Sequence, residues 1–239
     1  MKIESSGQRN IEFNKIGIKQ FYKKILSNNP TIIDVGANKG QTIDFFKKIF
    51  INPKIYAYEP SDQYKILKRK YIKNKKILIS NYAIHNKKGK KIFYSHSFKS
   101  RDISQLSGFY KINKKSKDHI KINSSKRKEI LKNINHSSIV NCITLDELIK
   151  NQKIDLLKID TQGNELNVLK GAKKLLTKTK FVKLEIMLYD YYEIKFTFSD
   201  LDLFLNKFNF KIFNVLEVNQ NPVNFKTDWI EVLYYNTKI

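Results

Sequence analysis

Three short apolar runs near the start of the chain, at residues 31–35 (TIIDV), 55–58 and 77–79, are separated by stretches of helical periodicity. Runs this short, bounded by Gly, Pro and Glu, suit strands buried on both faces, as in a parallel sheet. The intervening segments, residues 41–50 and from Ser61 toward Tyr71, are long enough to be crossover helices, with Ser61 placed to cap the second. Strand–helix–strand–helix–strand at this spacing predicts βαβ units with right-handed connections. Ahead of them, Ile18, Phe21, Tyr22 and Ile25 predict an amphipathic helix over residues 16–26, stopped by Pro30.

The same alternation returns late in the chain. Strands are predicted at residues 156–159 and 181–188, with a helix over 166–176 that puts Leu166, Leu169, Ala172 and Leu175 on one face. Ser199 is placed to cap a helix over 200–208. Two final strands, 210–216 and 229–235, are joined by a polar stretch around Pro222, which suits an antiparallel return. Between the halves, residues 89–94 read as one arm of a hairpin. Residues 101–141 are polar and lysine-rich, with apolar clusters such as Phe109-Tyr110. That is too long for an ordinary loop and predicts a functional insert or lid. Thr144 with Glu147 forms a capping-box pattern before a short helix at 145–150.

Composition adds bounds. Forty-six Lys+Arg against 22 Asp+Glu give a net charge of +24. This raises nucleic acid, an anionic membrane face or an acidic substrate as partners. The accompanying richness in Asn and Ile, and the scatter of single lysines over helix surfaces, fit A/T-rich codon usage instead. With one cysteine, Cys142, the chain forms no internal disulfide and no cysteine-based zinc site. The four histidines, His85, His96, His119 and His136, lack ligand spacing, so no metal is expected. Residues 1–15 hold no long apolar run, and nothing reaches transmembrane length, so a cytoplasmic soluble protein is expected.

Chemistry concentrates at the carboxyl ends of the predicted strands, where open α/β sheets bind ligands. Asp34-Val-Gly36-Ala-Asn38-Lys-Gly40 forms a strand-to-helix turn. Its glycines remove side chains where the backbone turns and meets a ligand, and Asn38 tolerates a left-handed conformation. Glu59, about 20 residues on, ends the second strand, where a carboxylate can accept from both hydroxyls of a ribose. Neither the G-x-G-x-x-G fingerprint nor the Walker A pattern is present. The third element is Lys158-Ile-Asp160-Thr-Gln-Gly163-Asn-Glu165, which puts Asp160 on the same sheet edge. Asp160 and Glu165 are read either as groups that orient or deprotonate a hydroxyl or as helix caps. Glu185, inside an apolar strand, calls for a buried partner or a pocket.

The ordered set Asp34-Val-Gly-Ala-Asn-Lys-Gly40, Tyr56-Ala-Tyr-Glu59-Pro60, Ala83-Ile84, Thr144-Leu-Asp-Glu-Leu148, Ile159-Asp-Thr-Gln-Gly-Asn-Glu165 and Leu184-Glu185-Ile186 resembles the FkbM family of methyltransferases. The resemblance covers residues 31–188. It implies a Rossmann-like class I methyltransferase fold: a mostly parallel seven-stranded sheet, helices on both faces and an antiparallel last strand. Residues 1–29 are then an N-terminal helical extension, and residues 30–239 the methyltransferase domain with a basic insert at about 85–143. The resemblance implies S-adenosyl-L-methionine as donor, and a hydroxyl on a sugar, glycan intermediate or other small molecule as acceptor. Carried over, Asp34, Gly36, Asn38, Gly40 and Asp160 line the methionine side, Glu59 the ribose, and Tyr82, Ala83 and Ile84 the adenine. Asp160, Glu165 and His85 are the candidate bases. Where the family usually shows Asp-Val-Glu-Gly-x-Glu, this chain has Thr161 and Gln162, a departure on the catalytic side of the site.

Three other readings stay open at this level. A nucleic-acid methyltransferase would use the basic run 111–132, although the Asn/Asp-Pro-Pro-aromatic motif is missing and few aromatics are placed to stack bases. A non-catalytic binding or scaffold protein would keep only the cofactor pocket. An NAD-linked oxidoreductase lacks its glycine pattern.

Overall fold

Apolar residues on alternate sides of one strand decide the layering of this molecule. In β1 (Thr31–Val35), Ile33 and Val35 face one hydrophobic cluster while Ile32 faces another. Both sides of the strand are therefore covered, as parallel strands require. The computed structural model describes residues 17–96, 104–113, 135–189, 191–194, 196–221 and 225–239. Its main sheet has seven strands in the order β3-β2-β1-β7-β8-β10-β9. Besides β1 these are β2 (Lys54–Tyr58), β3 (Ile77–Ser80), β7 (Ile154–Ile159), β8 (Thr179–Met187), β9 (Phe210–Gln220) and β10 (Thr227–Asn236).

The pairs β3-β2, β2-β1, β1-β7 and β7-β8 are parallel, while β10 runs antiparallel to both β8 and β9. This is the class I Rossmann-like methyltransferase arrangement, with the reversed last strand expected of it. On one face lie α1 (residues 17–25), α2 (Gln41–Ile49) and α3 (Gln63–Tyr71), which pack Phe21, Tyr22, Phe46, Leu67 and Tyr71 onto Ile32, Ile55, Leu156 and Phe181. Helix α1 thus shares the core of the domain. On the other face lie α4 (Leu145–Leu148), α5 (Glu165–Lys170), α6 (Lys173–Leu176) and α7 (Phe198–Asn206).

A second sheet of three strands, in the order β4-β6-β5, is built from β4 (Ala83–Ile84), β5 (Gly89–Ser95) and β6 (His136–Ile143). The hairpin arm read at residues 89–94 is β5. Its antiparallel partner β6 returns from far along the chain, and Cys142 on β6 is buried in a small cluster with Ala83, Phe93 and Val140. Much of the lysine run of the insert, residues 114–134, lies outside the described residues. No described helix is long and apolar enough to cross a membrane.

Three local readings are corrected. The helix expected over 166–176 is broken at Gly171 and Ala172, whose ψ of 3° and φ of −124°, respectively, leave the helical range, and a side chain on Gly171 would sit 2.2 Å from the His85 carbonyl oxygen. The close approach requires glycine at that point, and α5 and α6 are two short helices on either side of it. Thr197, not Ser199, caps the next helix: its hydroxyl accepts from the Asp200 N–H, and Asp200 returns a bond to the Thr197 N–H at 2.7 Å. This is a capping box two residues earlier than read. The helix after β2 starts with Asp62 at the cap position, while the Ser61 hydroxyl accepts from the Gln63 N–H at 3.3 Å. The capping box of Thr144 and Glu147 forms as expected.

Candidate active site

The strand ends converge on a cleft closed on its other side by Phe93 and by Ser104, Gln105, Ser107 and Phe109 of the segment after β5. There Glu59, the residue just after β2, reaches the turn after β1. Glu59 accepts the Asn38 N–H at 2.8 Å and the Ser61 N–H at 2.9 Å. Burial drives the Glu59 carboxyl above its ordinary range, and these donors from Ser61 and Asn38 oppose the rise. Asn38 takes the left-handed conformation expected of it, with φ 44°. Its side-chain amide reaches the Ser104 hydroxyl at 3.3 Å and so ties the turn to the segment after β5.

Gly36, Asn38, Glu59, Tyr82, Ala83 and Asp160 line the cleft, as read from the sequence, and Ile84 joins them. The structure brings in Phe93, Phe109, Ser104 and Asn164 as well. Phe109 carried a signal, an apolar cluster in a polar stretch. Asn164 did not: it is fully buried and donates to the Ile84 carbonyl at 3.0 Å, which fastens the loop after β7 to β4.

Four sequence-read residues do not line the cleft. Asp34 is fully buried behind it and faces Lys158 Nζ at 3.3 Å. Gly40 carries φ 85°, but what approaches it closely is Tyr71, whose hydroxyl donates to the Gly40 carbonyl at 3.2 Å. His85 packs edge-on against Phe109, and its Nδ1 accepts from the Asn86 N–H at 2.8 Å. Burial holds its pKa down at about 4. Glu165 is buried and gathers the loop after β7 by accepting from the Thr161 N–H, the Thr161 hydroxyl and the Gly163 N–H. Burial outweighs these donors and raises its pKa to about 7. Each is explained by packing or loop geometry. Of the three candidate bases, Asp160 alone borders open space. Gly36 also answers to the protein itself, because a Cβ there would lie 1.9 Å from the Asp160 carbonyl oxygen.

Asp160 belongs to a network that spacing alone does not disclose. Its Oδ2 is 3.2 Å from Lys158 Nζ. Its Oδ1 accepts from Gln162 Nε2 at 2.9 Å, and the same nitrogen donates to Glu185 at 2.8 Å. The Tyr192 hydroxyl donates to Gln162 Oε1 at 2.7 Å, so the amide is satisfied at both ends. Burial, with Asp160 close by, raises the Glu185 carboxyl above its ordinary range. Burial alone would lower Lys158, but Asp160 and Asp34 outweigh it and hold the ammonium charged well beyond the usual lysine range.

The cleft fits an adenosyl group by the chemistry of its walls: an apolar slot of Ile84, Phe93 and Phe109 beside a carboxylate for hydroxyls. Strand order, turn and cleft together define a class I, S-adenosylmethionine-dependent methyltransferase domain. The model of the FkbM methyltransferase domain matches residues 34–212, most of the chain, and the chain belongs to that family. A solved FkbM methyltransferase from Methylobacillus flagellatus KT is similar over 91% of this chain, at 13% identity and TM-score 0.52. This chain covers half of that one. An rRNA methylase from Streptococcus thermophilus aligns over 99% of both chains at 10% identity and TM-score 0.47. Such identities speak to fold alone. No curated protein matches the sequence.

Proposed function

We propose that the chain transfers a methyl group from S-adenosylmethionine to a hydroxyl of a small molecule, with a sugar or glycan intermediate the best-supported class. The observation that carries this reading is the position of Asp160, which borders the first cleft and also a second, larger cavity beyond Gly36 and Asn38. One carboxylate therefore stands where a donor in the first and an acceptor in the second would meet.

The bound donor supplies an electrophilic methyl group on a sulfonium sulfur. Glu59 would accept from its ribose hydroxyls, and Tyr82, Ala83, Ile84 and Phe93, which line the cleft, would enclose its base. An acceptor oxygen held beside Asp160 would take that methyl group, with the electron pair of the broken carbon–sulfur bond staying on the donor's sulfur. Asp160 takes the hydroxyl proton. Lys158 and Gln162 hold the Asp160 carboxylate in place, and alignment of oxygen, carbon and sulfur supplies much of the rate.

The test is calorimetric titration with S-adenosylhomocysteine, with NADH as control. Saturable binding to the native chain, weakened tenfold or more by Glu59→Ala and absent for NADH, is the expected result. A folded native chain that does not bind S-adenosylhomocysteine would overturn the reading.

A further inference from the structure

The second cavity carries a pattern of its own. It lies on the α1–α2 side of the sheet and shares Gly36, Asn38 and Asp160 with the first cleft. Along this face the strands begin apolar and end charged. Leu156 is followed on the same side by Lys158 and Asp160, and Phe181 by Lys183 and Glu185, since side chains alternate along a strand. The register aligns them: Asp34 pairs with Lys158 and Lys158 with Lys183, while Glu185 pairs with Glu231 and Glu231 with Glu217. A row of lysines therefore lies one step inside a row of carboxylates at the mouth of the sheet.

Both lysines that line the cavity are already paired. Lys158 serves Asp34 and Asp160, and Lys183 meets Glu231 at 2.6 Å. Three carboxylates, Asp160, Glu217 and Glu231, face these two ammonium groups among the cavity's described charged lining. In a chain of net charge +24, a local excess of carboxylate runs against the overall composition. An incoming phosphate would have to displace a carboxylate from a lysine and would meet the remaining ones at close range. Hydroxyl groups have no such cost, since each donates to a carboxylate oxygen already present. Over this floor, the half-buried Phe45 of α2 and the exposed Ile18 of α1, with the half-buried Leu216 beside Glu217 on β9, offer apolar surface for the C–H face of a ring.

We infer that the second cavity is the acceptor subsite and that it selects a neutral polyhydroxylated group, a sugar ring without phosphate or carboxylate. This rests on the methyl-transfer reading and adds to it the location and charge of the acceptor.

Saturation-transfer NMR on the protein saturated with S-adenosylhomocysteine tests it. The probes are the methyl glycosides of glucose, galactose, mannose and rhamnose, with glucose 6-phosphate and glucuronate alongside. At least one neutral glycoside is expected to give a signal that Glu217→Gln and Glu231→Gln each reduce threefold or more. The affinity for S-adenosylhomocysteine should stay within twofold, and the two anionic sugars should give none. Glu217 is exposed, so its variant keeps the test sound if Glu231→Gln perturbs folding. Silence from every neutral glycoside, a stronger signal from an anionic one, or a signal indifferent to Glu217→Gln would overturn the inference while S-adenosylhomocysteine still binds. Loss of that binding in the native chain would instead bring down the methyl-transfer reading beneath it.

Discussion

Gln162 donates from its side-chain amide to Glu185 at 2.8 Å while its backbone sits at φ 54°. A non-glycine residue held in the left-handed region costs about 1 kcal/mol or more unless its surroundings hold it there. Here the surroundings are Asp160, Glu185 and Tyr192, all bonded to one amide.

Gln162→Glu, which restores the residue usual in the family, would replace two donated hydrogen bonds by a third carboxylate. We predict a loss of about 2 kcal/mol at pH 8. The loss should shrink at pH 5.5, where the carboxyls can share protons. Urea denaturation at the two pH values checks this; equal losses at both would contradict it.

Lys158→Met leaves Asp34 as a fully buried carboxylate with neither oxygen hydrogen-bonded. Breaking a buried pair from one side typically costs about 3–5 kcal/mol. The double variant Asp34→Asn with Lys158→Met should recover more than half of the loss. A double-mutant cycle of chemical denaturation measures it, and additive losses would mean that the two side chains do not interact.

Glu165 gives a pH prediction with a definite sign. Its folded pKa of about 7 lies above its ordinary 4.5. The folded state therefore holds the proton more tightly, and this contribution is complete below about pH 4.5 and disappears as pH rises through about 7. His85 and His96, both depressed to about 4, act in the opposite direction over a similar window. The native chain and Glu165→Gln must therefore be compared at each pH. The difference in thermal midpoint should change between pH 4.5 and 7 in favour of the variant and stay level above. A difference that does not vary with pH would refute the assignment.

Gly171→Ala places a methyl group against the His85 carbonyl. Since Gly171 has an ordinary φ of −87°, the penalty is steric, about 1–3 kcal/mol. Affinity for S-adenosylhomocysteine should stay within twofold, because neither residue lines the cleft. Calorimetry of unfolding and of binding on the same sample separates the two effects.

What the residues determined by themselves is what local physics can encode. The run at residues 31–35 became β1 without change, because an apolar stretch ending in glycine has few other uses. Asn38 took the left-handed turn, Thr144 and Glu147 made their capping box, and Glu59 reached the turn after β1. Each depends on neighbours in sequence or on a single βαβ crossover. The tertiary structure decided everything that needs register across distant strands. Lys158 stood in the motif without a role until β1 and β7 aligned to set it beside Asp34. Lys183 and Glu231, 48 positions apart in number, meet only because β10 inserts between β8 and β9. Gly171 looked like a helix interior until the His85 carbonyl arrived from 86 positions earlier. A charge in an apolar strand announces that a partner exists; which partner it has, and whether the pair faces core or cavity, is set by strand order and pleat, which no short stretch of sequence carries.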